Sequence, residues 1–187
     1  SGAAPGGRPA HLEHPLLRRQ FRERAEALET AFALAWEAAT LLGEVWKETP
    51  PYSPRYHLFR LVAHLAKLHT AEFAAQSAKW VMEVHGGMGV LAEVPAERWF
   101  REAMVLAIWE GTSHRQILDG LEVMQRKGAH NLLFAHLEGV AEPKALALIQ
   151  QQVASHLALA AKEQEASAEK LFADLARFTG ETLRRRS

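Results

Sequence analysis

The chain has 187 residues, 48% of them hydrophobic and 24% charged, with 22 Lys plus Arg balanced by 22 Asp plus Glu and no Cys. That length suits one domain, or a core domain with an appendage; the apolar content is ample for a buried core and too high for a disordered chain, and the neutral balance gives no global field for nucleic acid or an anionic membrane. The lack of Cys excludes disulfides and thiolate metal sites and makes a reducing cytoplasm the expected compartment, and no apolar run is long enough to span a membrane.

The first ten residues, "SGAAPGGRPA", have neither a charged n-region nor an apolar h-region. They read as a loose leader rather than a signal peptide. Leu17, Phe21, Ala25, Leu28, Phe32, Ala35, Ala39, Leu42 and Trp46 then recur at three- and four-residue steps, one apolar stripe on a long helix. "TPPYSP" (49–54) stops it, because proline cannot continue a helix and restricts the residue before it. Leu58, Leu61, Leu65 and Leu68 begin a second stripe, which continues less strictly through Phe73, Ala74, Trp80, Val81 and Val84. "HGGMG" (85–89) breaks that helix. A third is expected over roughly 96–109 and a fourth over about 112–126, with Gly111 between them; "KGAHNLL" is a weak joint. After Pro143, a good first-turn residue, one last long helix carries Ile149, Val153, Leu157, Leu171, Leu175 and Phe178. No segment alternates with period two, so the spacing predicts an all-α fold, an antiparallel up-down bundle wherever connections are short.

Ten histidines invite a metal reading. There is no HExxH, and the pairs His11/His14, His64/His69 and His130/His136 lack partner carboxylates at ligand spacing; no metal site is expected. Without a G-x-S-x-G motif or a strand to carry one, a serine hydrolase is not supported. "HGGMG" lacks the Lys-Ser/Thr ending of a phosphate-binding P-loop and follows a helix, not a strand. Its three glycines permit close backbone approach to a ligand, and they equally suit a sharp helix stop. In "AIWEGTSHRQ" (107–116), Glu110 suits either a carboxylate favoured at a helix start, with Thr112 as N-cap, or a general base, which needs desolvation and a raised pKa. Spacing alone favours the helix-start reading.

In order along the chain stand Gly86-Gly87-Met88-Gly89, Pro95, Glu97-Arg98, Arg101-Glu102-Ala103 and Ile108-Trp109-Glu110-Gly111-Thr112. This series resembles the C-terminal helical domain of the acyl-CoA dehydrogenase family, which ordinarily reads Q-x-x-GG-x-G, P-x-ER, RDA and IYEGT. The resemblance covers about residues 8 to 127. It implies an antiparallel four-helix bundle that, in the family, follows an N-terminal helical domain and a middle β domain. FAD lies between the β domain and the bundles of two subunits, and the usual assembly is a tetramer. It implies Glu110 as the base that removes the α-proton of an acyl-CoA while a hydride goes to the flavin. It implies that Thr112 approaches the flavin and that Gly86, Gly87 and Gly89, with Glu83 in the place of the family Gln, lie along its adenine-diphosphate part. A carboxylate there would repel a pyrophosphate unless a cation intervened.

Glu83, Glu102 and Trp109, together with helices after the bundle, resemble the adaptive-response (AidB-like) branch, whose members bind FAD and are linked to DNA binding. The expected organisation is a leader over 1–10, the bundle over 11–127 and an appended helical extension with a basic tail over 128–187. The expected function is that of a domain of an FAD-dependent oxidoreductase acting on acyl-CoA, in a homodimer or homotetramer. Domains of the family's β and N-terminal kinds do not fit in 187 residues, so the chain by itself is expected to hold at most half of a flavin site and not to catalyse alone. The alternative is a non-catalytic interaction or DNA-binding module, in which Arg126, Lys127 and Arg184 to Arg186 meet phosphates.

Overall fold

In the computed structural model, residues 14–186 are described; the expected leader lies outside them. Seven α-helices follow one another: α1 (Pro15–Val45), α2 (Pro54–Val84), α3 (Pro95–Ile108), α4 (Ser113–Lys127), α5 (Ala129–Leu137), α6 (Pro143–Leu157) and α7 (Ala161–Arg184). A short 3-10 turn, Gly86–Val90, joins α2 to α3. No strand occurs among the described residues.

Local chemistry sets most of the boundaries. Four helices begin with proline, whose missing N–H is not needed in a first turn. Ser53 caps α2, its hydroxyl accepting from the Tyr56 N–H at 3.2 Å, while Glu48 holds the Ser53 hydroxyl at 2.7 Å. Glu142 caps α6, accepting from the N–H groups of Lys144 and Ala145. The weak joint expected near residue 128 is a left-handed Gly128, φ +61°, which ends α4 and lets α5 start in a new direction.

The helices form an antiparallel up-down bundle with α2 at its centre, packed against α1, α3, α4, α5 and α7. Arg55 of α2 meets Glu44 late in α1, and Trp80, late in α2, meets Gln20 early in α1; the two run antiparallel. Leu34, Leu41, Leu61, Leu65, Met124, Leu133, Phe172 and Leu175 fill the core. Two helix contacts need glycine. A Cβ on Gly180 of α7 would stand 2.7 Å from the Thr30 carbonyl oxygen of α1, and one on Gly120 of α4 would stand 2.4 Å from the Phe172 ring.

Two expectations are corrected here. The stripe predicted for α1 mostly faces outward. Leu28, Phe32 and Trp46 are 57%, 65% and 66% exposed, and Phe21 and Leu42 are exposed as well. The face that meets the core is Ala31, Leu34, Leu41 and Val45. This helix is apolar on two sides, and periodicity detects the larger residues without knowing which side is covered. The single long helix expected after Pro143 is α6 and α7, separated by 158–160. Neither proline nor glycine breaks it. Gln164, buried, turns its amide back and donates to the carbonyls of Leu157 (2.9 Å) and Leu159 (2.7 Å), satisfying the end of α6. Its own oxygen accepts from Gln125 of α4.

Candidate functional site

The sequence-predicted residues fall into two groups at the two ends of α3. Glu83, Gly86, Gly87 and Gly89 lie where α2 gives way to the 3-10 turn; Glu110 and Thr112 lie between α3 and α4. Helix α3 has 14 residues, so its length separates the groups by roughly 20 Å at 1.5 Å per residue. A single chain does not bring them to one spot.

At the first turn the glycines have different reasons to be there. Gly86 has φ +59°, the left-handed region. Gly89 is buried, and a Cβ on it would stand 2.3 Å from the Met82 carbonyl oxygen, so backbone packs on backbone. Gly87 has neither constraint: nothing lies within 4 Å of a Cβ built on it. This leaves an open backbone face. The Glu83 carboxylate is paired by the Lys79 ammonium one helical turn earlier, so a cation does intervene beside the carboxylate that would repel a phosphate.

At the second turn Glu110 is exposed and has φ +54°, the one non-glycine residue with positive φ among the described residues. Such a conformation costs about 1–2 kcal/mol for an L-residue. Gly111 follows at φ +105°. Thr112 occupies the N-cap position of α4, but its side chain makes no cap bond. The turn is held instead by Gln116, in the first turn of α4 and only 8% exposed. Its Nε2 donates to the carbonyls of Glu110 at 3.3 Å and Gly111 at 3.2 Å, and its Oε1 meets His64 Nδ1 of α2 at 2.9 Å. At about 1 kcal/mol for each net hydrogen bond, these bonds are large enough to offset the conformational cost at Glu110. One turn further along α2, Lys67 donates to the Leu106 carbonyl near the end of α3.

Burial pushes His64 below the ordinary histidine range, against the effect of its hydrogen bond to the Gln116 amide oxygen. Burial likewise lowers Lys67, while the Glu110 carboxylate draws it back up. His69, His130 and His156 are lowered by burial too. His136 is bound to Glu37 at 2.7 Å. Among the described residues no three His, Asp or Glu side chains gather as a metal cage. Of the basic residues considered for a nucleic-acid face, Arg126 pairs with Glu122 at 3.1 Å and Arg184 with Glu29 at 3.2 Å. No helix of the described residues is long and apolar enough to cross a membrane.

Both turns are flanked by uncovered apolar surface: Met88, Val90 and Leu91 at the first, Val105, Ile108 and Trp109 at the second. Trp109 next to Glu110 is 54% exposed and does not desolvate it within this chain. The sequence reading missed Gln116 and Lys67, and it weighed His64 only as one of a pair of metal ligands. A glutamine in a first helical turn looks like a surface residue, and only the fold brings α2 to it.

The sequence pattern of the family described as "Acyl-CoA dehydrogenase, C-terminal domain" matches residues 6–125. The short-chain specific acyl-CoA dehydrogenase of Bos taurus mitochondria is 38% identical over 96 residues, which cover 51% of this chain and 21% of that protein. Among solved structures, one described as "Bd2924 apo-form" aligns over 97% of this chain and 37% of its own with a TM-score of 0.82 at 24% identity. ACDH-11 of Caenorhabditis elegans, solved in complex with C11-CoA, aligns over 91% of this chain and 32% of its own with a TM-score of 0.74 at 22% identity. These likenesses, below a quarter identical, are likenesses of fold. The chain spans about a fifth of the length of the bovine relative.

Proposed function

The chain belongs to the acyl-CoA dehydrogenase C-terminal domain family, and from that premise we propose that it is the helical domain of an FAD-dependent enzyme that oxidises an acyl-CoA across Cα–Cβ. Glu110 is the base. Its carboxylate takes the proton from Cα as the Cα–Cβ double bond forms. FAD, where bound, supplies the acceptor for the hydride that leaves Cβ. The observation that carries this reading is the Glu110 turn: an exposed carboxylate held in a left-handed backbone, beside apolar residues that a covering surface would complete. Covering would desolvate the carboxylate, which is the setting a general base needs.

The residues of the first turn suit a flavin's phosphates: an open backbone at Gly86 and Gly87, and a Glu83 already neutralised by Lys79. Thr112, with no cap bond to keep it, is free to approach the flavin. The length of α3 between the two groups fits a site shared between two copies, each giving a different end, and so a homodimer or homotetramer. The outward stripe of α1 supports the same need for company, since each large apolar side chain taken from water contributes about 1.5–3 kcal/mol. Within the family, Glu83, Glu102 and Trp109 support the adaptive-response (AidB-like) branch.

The test uses the chain together with the β and N-terminal domains of its enzyme. Glu110→Gln should abolish exchange of the α-proton of a bound acyl-CoA while leaving FAD bound; retained exchange rejects the base. A complete protein that is colourless and binds no added FAD by calorimetry rejects the flavin reading.

A further inference from the structure

Gln116 carries a constraint that reaches beyond its own turn. Its amide nitrogen and oxygen differ in what they can face. The carbonyl oxygens of Glu110 and Gly111, 3.3 and 3.2 Å away, accept only, so the end of Gln116 pointing at them is the NH2. The amide oxygen is then the atom 2.9 Å from His64 Nδ1, and that ring nitrogen must carry the proton. A glycine is needed at 111 for the amide to come this near, since a Cβ there would stand 2.9 Å from Gln116 Nε2. On the other side of the turn, Lys67 holds the Leu106 carbonyl. His64 and Lys67 are three residues apart on α2 and so lie on one face of it. Helix α2 therefore grips the turn on both sides, directly before it and through Gln116 within it.

We propose that Gln116, oriented by the Nδ1–H of His64, is a positioning residue that holds the Glu110 backbone in its left-handed conformation and so aims the carboxylate. This rests on the reading of Glu110 as the reacting base, and it names the residues that make that base geometry possible. Neither Gln116 nor His64 touches the reacting atoms; both bonds from Gln116 go to main-chain carbonyls. The arrangement makes the aim of the carboxylate depend on the backbone that carries it, while the Lys67 ammonium attracts the carboxylate through space.

The decisive measurement needs neither flavin nor substrate. In the uniformly labelled chain, long-range proton–nitrogen spectra at neutral pH should show His64 neutral with its proton on Nδ1. The carbon shifts of Glu110 should report a positive φ. Gln116→Met, which keeps the length of the side chain and removes its polar atoms, should return Glu110 to shifts of ordinary negative φ with the far-UV helix signal unchanged. His64→Asn, whose amide nitrogen stands near the place of Nδ1, should preserve the Glu110 shifts, and His64→Leu should lose them. A His64 proton on Nε2 in the native chain overturns the proposal, as do Glu110 shifts unmoved by Gln116→Met. If Gln116→Met does not fold, the native tautomer and the two His64 variants decide alone.

In the complete enzyme Gln116→Met should slow α-proton exchange on the order of 100-fold, the scale of a misplaced reacting group. The two readings fail separately. Glu110→Gln with exchange retained removes the base and leaves the spectroscopic result standing; Glu110 shifts that ignore Gln116, with exchange still lost in Glu110→Gln, remove only the positioning.

Discussion

The turns at the two ends of α3 each hold a glycine that another atom presses upon, and the pressing atoms differ in kind. At Gly89 it is the Met82 carbonyl, 2.3 Å from where a Cβ would be, part of the last turns of α2. At Gly111 it is the far end of the Gln116 side chain, at 2.9 Å. The first turn is fixed by main chain on main chain and leaves its neighbour Gly87 open to whatever binds there. The second is fixed by a side chain anchored in the bundle, and the residue it fixes is Glu110. A surface offered to a ligand and a group aimed at a substrate are thus secured by different means, one by steric backing and the other by a hydrogen-bond chain from the core.

The largest effect is expected where the backing cannot move. In Gly89→Ala the new methyl meets the Met82 carbonyl and Cα at once. Main chain within a helix has little room to yield, so the loss should reach about 3 kcal/mol, the upper end of the range for overpacking. Thermal unfolding followed by circular dichroism measures it; a melting temperature equal to that of the native chain would mean that the turn is not backed by α2.

Gly111→Ala sharpens the contrast. Here the obstacle is the tip of a side chain, which can swing away, but swinging away gives up its bonds to the Glu110 and Gly111 carbonyls. The φ of +105° adds strain for any L-residue. A loss of about 2 kcal/mol, smaller than at Gly89, is expected from strain of this kind. It should be accompanied by changed His64 ring signals, because Gln116 cannot stay in place. A Gly111→Ala variant that costs as much as Gly89→Ala, with the His64 signals unmoved, would show this turn to be backed by main chain after all.

The fold was legible in the sequence wherever punctuation was strong. "TPPYSP" ends α1 before α2 begins, α3 and α6 start at Pro95 and Pro143 close to where they were expected, and Leu58, Leu61 and Leu65 of the α2 stripe are buried. It misled at α1 because burial belongs to a pair of surfaces. Phe32 and Trp46 have the size and spacing of core residues, yet the core took the smaller Ala31 and Leu34 on another face. The break between α6 and α7 was hidden because Gln164, not a proline or glycine, makes it. At the site, the glycines and Glu110 could be singled out from local pattern, though their roles come from the family resemblance, since spacing alone favours a helix-start carboxylate at 110. Gln116 and His64 could not, since they are 52 residues apart and their bond exists only through the packing of α4 on α2.

The smallest structural effect is expected at Gly87, and that makes it the most direct probe of the first turn. Nothing lies within 4 Å of a Cβ there, and its backbone is not in the left-handed region. Alanine should fit without strain and leave stability within about 0.5 kcal/mol, or raise it slightly by restricting the unfolded chain. Gly86→Ala, by contrast, would carry the penalty of φ +59° and blur any binding result. If the open face at Gly87 is where a flavin's phosphates lie, Gly87→Ala in the complete protein should weaken FAD retention while the chain's own melting temperature stays put. Calorimetric titration with FAD reads the first quantity and thermal unfolding the second. Full flavin affinity in this variant would mean that the backbone at Gly87 faces no ligand, and would leave the glycines of this turn explained by Gly86 and Gly89 alone.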